Sequence, residues 1–170
     1  DISSCSNELF TAVDLPYGSS AFSMTLFLPN TGRNLAELVS YLTGENFDSV
    51  ISQLTVSKKN LFLPRFKLEY KIKLNDVLKA LGMELAFDPD KANFKKLYDG
   101  MGNAYISSVD HKTYVDVNEE GTEAAAVTSV SVGVTSIGGN SIRFDRPFLF
   151  LIREKNSGAI IFIGSLNDPS

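Results

Sequence analysis

The chain has 170 residues, 44% of them hydrophobic, with 16 Lys and Arg against 20 Asp and Glu for a net charge of −4. That length suits one ordinary domain, and 12 Phe allow a sizeable core. No basic run exceeds the pairs Lys58-Lys59 and Lys95-Lys96, so neither nucleic acid nor an anionic membrane is expected as a partner.

Cys5 is the single cysteine, which rules out an internal disulfide and leaves the redox compartment open. The longest apolar runs, Phe148 to Ile152 and Ala159 to Ile163, are too short to span a bilayer. The start, D-I-S-S-C-S-N-E, is polar and has no basic stretch, so no secretory signal is expected there.

In chain order, Glu8 to Leu15 reads as a short strand stopped by the turn cluster Pro16-Tyr17-Gly18-Ser19. Ala21 to Leu28 is continuously apolar, as expected of a strand covered on both faces, and the two form a predicted hairpin. Asn34 to Leu42 places Leu35, Leu38, Val39 and Leu42 on one helical face, with Asn34 as the expected cap. Asn46 to Leu54 is a second short helix, and Asn60 to Pro64 a short apolar run. Phe66 to Leu74 alternates strictly, with Phe66, Leu68, Tyr70, Ile72 and Leu74 on one side, the cleanest strand pattern in the chain. Asn75-Asp76 is expected to cap a helix that runs to Leu81 and stops at Gly82. Phe87 to Asp90 reads as a turn, and Asn93 to Gly100 as irregular chain. Ala104 to Val117 is a long β-competent run, and Phe144 to Glu154 with Ala159 to Leu166 a second hairpin, turning at Asn156-Ser157-Gly158. Several strands with only short helices, no internal repeat and no dividing linker give a mainly β member of the α+β class.

Between the last two regions lies Val117 to Ser141. From Thr122 to Val134 its even positions are Thr, Ala, Ala, Thr, Val, Val and Val, while the odd ones include Glu123, Ser129, Ser131 and Gly133. Period two with one slender apolar face marks a half-buried strand. The Ser and Gly content toward its end, and the lack of any large residue, mark a loop. The segment reads as a loop able to become a strand.

Four constellations invite chemistry. His111, the single histidine, sits beside Asp110 among serines. On a strand, adjacent residues point to opposite faces, which spoils a Ser/His/Asp triad, and no G-x-S-x-G elbow is present. A buried, hydrogen-bonded structural histidine is the favoured reading. Glu119, Glu120 and Glu123 could pair as carboxylates or hold a cation, but on an extended chain a solvated acidic turn is favoured. Gly138-Gly139-Asn140 lacks phosphate-loop spacing. One cysteine and one histidine argue against a zinc site. No metal, no cofactor and no catalytic residue is expected.

V-N-E-E-G-T-E-A-A-A-V, Val117 to Val127, resembles the proximal hinge of inhibitory serpins, and I-R-F-D-R-P-F-L-F-L-I, Ile142 to Ile152, resembles the family's signature beyond the reactive loop. Asp14 to Gly18 (D-L-P-Y-G), Leu61 to Phe66, Leu81 to Phe94 and Ile161 to Pro169 are similar to serpin segments in the same order, so the likeness covers essentially the whole chain. It implies the C-terminal part of the serpin fold: strands of the large sheet A, parts of sheets B and C, and the reactive-centre loop. Residues 1–170 would be the C-terminal portion of a single domain, with the loop at about 119–141 and an N-terminal part as partner.

The implied function is suicide inhibition of serine proteases, with cysteine proteases as a further class. A protease cuts the loop, and its freed arm enters the main sheet, the strand addition and strain release for which serpins are a standing example. In this resemblance the hinge comprises Glu119, Glu120, Gly121, Thr122, Glu123, Ala124, Ala125, Ala126 and Val127. Gly121 gives a permissive backbone. Burying Val130, Val132 and Val134 would contribute about 4 to 9 kcal/mol, at about 1.5 to 3 kcal/mol each.

The family's usual loop length puts the reactive bond between Thr135 and Ser136, with Val134 or Ile137 as the neighbouring choices. The bait lacks Arg, Lys and large aromatics, which favours an elastase-like or other small-pocket enzyme over trypsin-like or chymotrypsin-like ones. His111 falls in the region that opens the large sheet, and Arg65 with Glu119 matches the charge pair at the loop's base. The competing reading is a non-inhibitory serpin, a carrier, chaperone or storage protein; such members usually carry bulky or charged hinge residues, and this hinge has small ones. An extracellular setting is favoured over a cytoplasmic one.

Overall fold

The computed structural model describes residues 1–118 and 141–169. They fall into two compact units, residues 67–116 and the remainder.

The larger unit is built on an antiparallel six-stranded sheet. Its strands are β1 (Ile2–Ser6), β2 (Phe10–Tyr17), β3 (Phe22–Pro29), β4 (Thr55–Ser57), β9 (Phe148–Glu154) and β10 (Ile160–Leu166), in the order β10-β9-β3-β2-β1-β4. Two further strands, β5 (Asn60–Phe62) and β8 (Ser141–Arg143), pair in parallel beside it in sequence but in a separate sheet. Both expected hairpins form. Phe10 faces Pro29 and Tyr17 faces Phe22 across β2–β3, while Leu149 faces Ser165 across β9–β10.

The central strands are apolar on both sides because both faces are covered. On one face, Phe10, Ala12, Phe27, Leu149 and Leu151 pack with Leu38 of α1 (Leu35–Tyr41) and Val50 of α2 (Gly44–Ser52). The rings of Phe10 and Phe27 meet edge to face at 5.4 Å. The alternate residues point the other way: Phe148 and Phe150 meet Phe66 at 5.8 and 5.3 Å, and Phe144 meets Phe148 at 5.0 Å. Asn34 caps α1 as expected, its Oδ1 accepting from the Glu37 amide at 3.0 Å.

The turn between β9 and β10 is held by Glu154. Its carboxylate accepts from the Asn156 and Ser157 amides at 3.0 and 2.6 Å and from the Ser157 hydroxyl, and Gly158 takes the left-handed conformation, φ 71°. The Ser157 hydroxyl, followed by the two amides, lowers the Glu154 pKa below its ordinary value. A depressed carboxylate contributes stability above its unfolded pKa and loses it as pH falls through the folded one. The Asn156 and Ser157 amides are therefore expected to exchange faster with solvent as pH drops through that acid range, and Glu154→Gln to remove the pH dependence. Amide exchange followed against pH checks this.

The smaller unit pairs β6 (Phe66–Lys73) with β7 (Asp110–Val117). Between them run α3 (Asn75–Leu78), a π-type turn over Lys79–Met83 with Gly82 at φ 99°, and a 3-10 turn over Glu84–Phe87. The regular helix thus stops at Leu78, short of the expected Leu81, and Gly82 kinks the path that the 3-10 turn continues, as its lack of a Cβ allows.

Four further expectations change. Asn75 does not cap the helix: its side chain donates to the Ser107 carbonyl at 3.0 Å and accepts from the Val109 amide at 2.9 Å. With the Leu74 amide bonded to the Val109 carbonyl at 2.8 Å, these contacts tie the end of β6 to the start of β7, and the run Ala104 to Val117 is a strand only from Asp110. Phe144 lies outside any strand; its ring turns into the core, and β9 begins at Phe148. Pro16 sits inside β2, opposite Ser23, and the turn follows Tyr17.

Candidate functional site

The loop expected at about 119–141 lies almost wholly outside the described residues, and with it the hinge Glu119 to Val127 and the bond Thr135–Ser136 with its neighbours Val134 and Ile137. Its two roots are described. The proximal root is β7, ending at Val117; the distal root is β8, beginning at Ser141.

The proximal root is tied to β6 by charges along one side. Lys67 Nζ lies 3.0 Å from Asp116 Oδ2, to which the Tyr114 hydroxyl also donates at 3.1 Å, and Lys112 Nζ is 3.7 Å from Glu69. The hydrogen bond and charge of Asp116 raise the Lys67 pKa above its ordinary value. Apart from the half-buried Asp116 these side chains are exposed, so each pair contributes little stability; their alternation puts Lys112, Tyr114 and Asp116 on one side of β7.

His111 is one residue along from that charged row. It is exposed rather than buried, and its Nε2 shares a hydrogen bond with the Thr113 hydroxyl at 2.9 Å. Sequence reasoning expected the hydrogen bond and missed the exposure, because a lone histidine on a β-competent run carries no mark of which face is covered. Asp110 meanwhile accepts from the Ser108 hydroxyl at 3.0 Å, so Ser, His and Asp do not assemble into a triad. Arg65 stands immediately before β6; its expected partner Glu119 lies outside the described residues. Among the described residues, no three His, Cys, Asp or Glu side chains gather to hold a metal ion, and no helix is long and apolar enough to cross a membrane.

The distal root is held from below and from the side. Asn60, Leu61 and Phe62 pair with Ser141, Ile142 and Arg143, and the Phe144 amide continues the ladder to the Phe62 carbonyl at 2.9 Å. Ile142 and Phe144 are buried, which pins a strand of three residues that parallel pairing alone would hold weakly. Arg143 lies over the Phe62 ring at 4.1 Å. Arg146, in the same turn, donates from Nε to the Pro29 carbonyl at 2.9 Å and pairs with Asp145 at 3.1 Å. The Phe62–Arg143 stack escaped sequence reasoning, since no periodicity links residues so far apart in the chain.

The family model described as Serpin (serine protease inhibitor) matches residues 2–169, and this chain belongs to the serpin family. Human Serpin B8 is 42% identical over 168 residues, which is 96% of this chain and 44% of that protein. The thermophilic serpin tengpin, in its native-state crystal structure, superposes with a TM-score of 0.75 at 37% identity, covering 98% of this chain and 44% of its own. Thyroxine-binding globulin in complex with thyroxine reaches a TM-score of 0.81 at 24% identity and shares the fold alone. The chain thus spans somewhat under half the length of these relatives. Its mainly β, α+β architecture is that of the corresponding part of the serpin fold.

Proposed function

We propose that residues 1–170 are the C-terminal portion of one inhibitory serpin domain, completed by an N-terminal part, and that the loop at about 119–141 is bait for a serine protease. Cysteine proteases are the secondary class. One observation carries this reading: a segment whose alternate residues are all Thr, Ala or Val lies in sequence between β7 and β8, just after the last residues of β7. In this reading the arm follows β7 directly in sequence, and cleavage near Thr135–Ser136 frees it to extend the sheet through Thr122, Ala124 and Ala126 to Val134. His111 and Arg65 with Glu119 would act in opening and closing that sheet. The slender residues of the bait support an elastase-like or other small-pocket target.

The experiment is to mix the full-length protein with an elastase-like protease and look for a complex that survives boiling in detergent. A stable complex is the expected result. Cleavage of the loop without one would favour the carrier, chaperone or storage reading instead.

A further inference from the structure

Arg143 is the side chain near the loop whose capacity the fold leaves unspent. Its guanidinium is stacked on Phe62 at 4.1 Å, a contact that uses one planar face and does not engage the in-plane donors. Among the described residues, no carboxylate or carbonyl takes those donors, whereas the neighbouring Arg146 is engaged by the Pro29 carbonyl and Asp145. Phe62 is itself 45% exposed. A guanidinium whose orientation is already fixed by stacking loses little freedom when it grips a carboxylate with two parallel bonds. Arginine is enriched among the residues that dominate interface binding energy, and aromatic residues, Phe included, are enriched at interfaces. On the β5 side, Val56 to Phe66 holds Lys58, Lys59 and Arg65 and no acid, while Asp145, two residues beyond Arg143, is paired with Arg146.

We propose that Arg143 and Phe62 form a second contact for the target protease, one that selects enzymes with an Asp or Glu on the rim beside the leaving-group side. This rests on the reading of the loop as bait. Ser136 and Arg143 are separated by at most about 25 Å of extended chain. A docked enzyme covers a patch roughly 30 Å across, so its rim comes within reach of the stack. Phe62 supplies an apolar surface for the stem of the acidic side chain, and Arg143 pairs with its carboxylate. The surrounding cations steer the encounter.

The test uses the full-length protein and a small-pocket protease with an acidic rim, in its active form and with its catalytic serine replaced by alanine. The inactive enzyme reads contact alone, through Kd; the active one reads association rate and stoichiometry. Arg143→Gln is expected to weaken Kd roughly tenfold and to slow complex formation by the same factor. Its salt dependence should flatten while stoichiometry stays unchanged. Arg143→Lys is expected to recover the salt dependence but little of the affinity, because an ammonium neither stacks nor forks, and Phe62→Leu to fall between. The proposal is overturned if Kd is unchanged in Arg143→Gln, if the rate falls only together with a rise in stoichiometry, or if the effect appears only with an added anionic polysaccharide. Should no detergent-stable complex form with the wild type while Arg143→Gln still shifts Kd, the contact stands and the bait-and-insertion reading fails.

Discussion

Full-length protein carrying Thr122→Arg is expected to be cut in its loop yet no longer to trap its protease, which should turn it over as a substrate. The reason is the side the residue occupies. With Ala124, Ala126 and Thr128, Thr122 shares the slender even positions, the face that the proposed insertion would turn inward. An arginine there meets the interior near the start of insertion, before the valines can contribute. Burying it without a partner costs at least about 3 kcal/mol, and each 1.36 kcal/mol slows a step about tenfold. Insertion should therefore slow by more than about 100-fold, long enough for the acyl bond to hydrolyse. Stoichiometry against a small-pocket protease measures this directly. The same bulky residue on the opposite face, Glu123→Arg, should leave stoichiometry near that of the wild type; equal damage at both positions would argue against a sided strand.

The largest expected loss of stability lies at the opposite end of the same argument, in the buried charges of the six-stranded sheet. Arg153 of β9 and Asp14 of β2 are each 6% exposed. Arg153 Nη2 lies 3.3 Å from Asp14 Oδ1, its Nε donates to the Thr25 hydroxyl at 3.2 Å, and Thr25 donates in turn to Asp14 at 2.6 Å. The three residues bind β9 to β2 through β3. Removing one charge strands the other in the interior, so Arg153→Met and Asp14→Leu should each cost about 3 to 5 kcal/mol. The double variant should recover most of that, since two apolar groups replace a pair that must be kept out of water. Denaturant midpoints of the three variants form the cycle; additive losses would show that the two charges do not depend on each other.

How much of this was legible in the sequence follows the range of the interactions. The β2–β3 and β9–β10 hairpins, the Asn34 cap and the left-handed Gly82 depend on neighbours a few residues away, and the pattern of side chains states them directly. The strand β1 is different. I-S-S-C-S carries little apolar pattern, and its pairing with β2 and β4 is what makes it a strand. The parallel match of β5 to β8 joins residues from distant parts of the chain and has no local mark. Alternation in β6 correctly named a face, Phe66 with Leu68, Tyr70 and Ile72, but alternation does not say what covers it: Phe66 is buried and Tyr70 is 57% exposed. The site divides in the same way. Its family signature was readable as a string of residues, whereas the exposure of His111, the Asn75 bonds to Ser107 and Val109, and the stack of Arg143 on Phe62 all arise from contacts that the string does not contain.

The claim that organises the rest is that the cut loop enters the sheet. Its most direct measurement is the thermal midpoint of the full-length protein before and after a single cut between Val134 and Ile137 by a non-target protease. Entry adds a strand with Val130, Val132 and Val134 on its inner face, about 4 to 9 kcal/mol of burial, so the midpoint of the cut protein should rise by roughly 5 to 10 °C. A midpoint at or below that of the uncut protein would contradict the account.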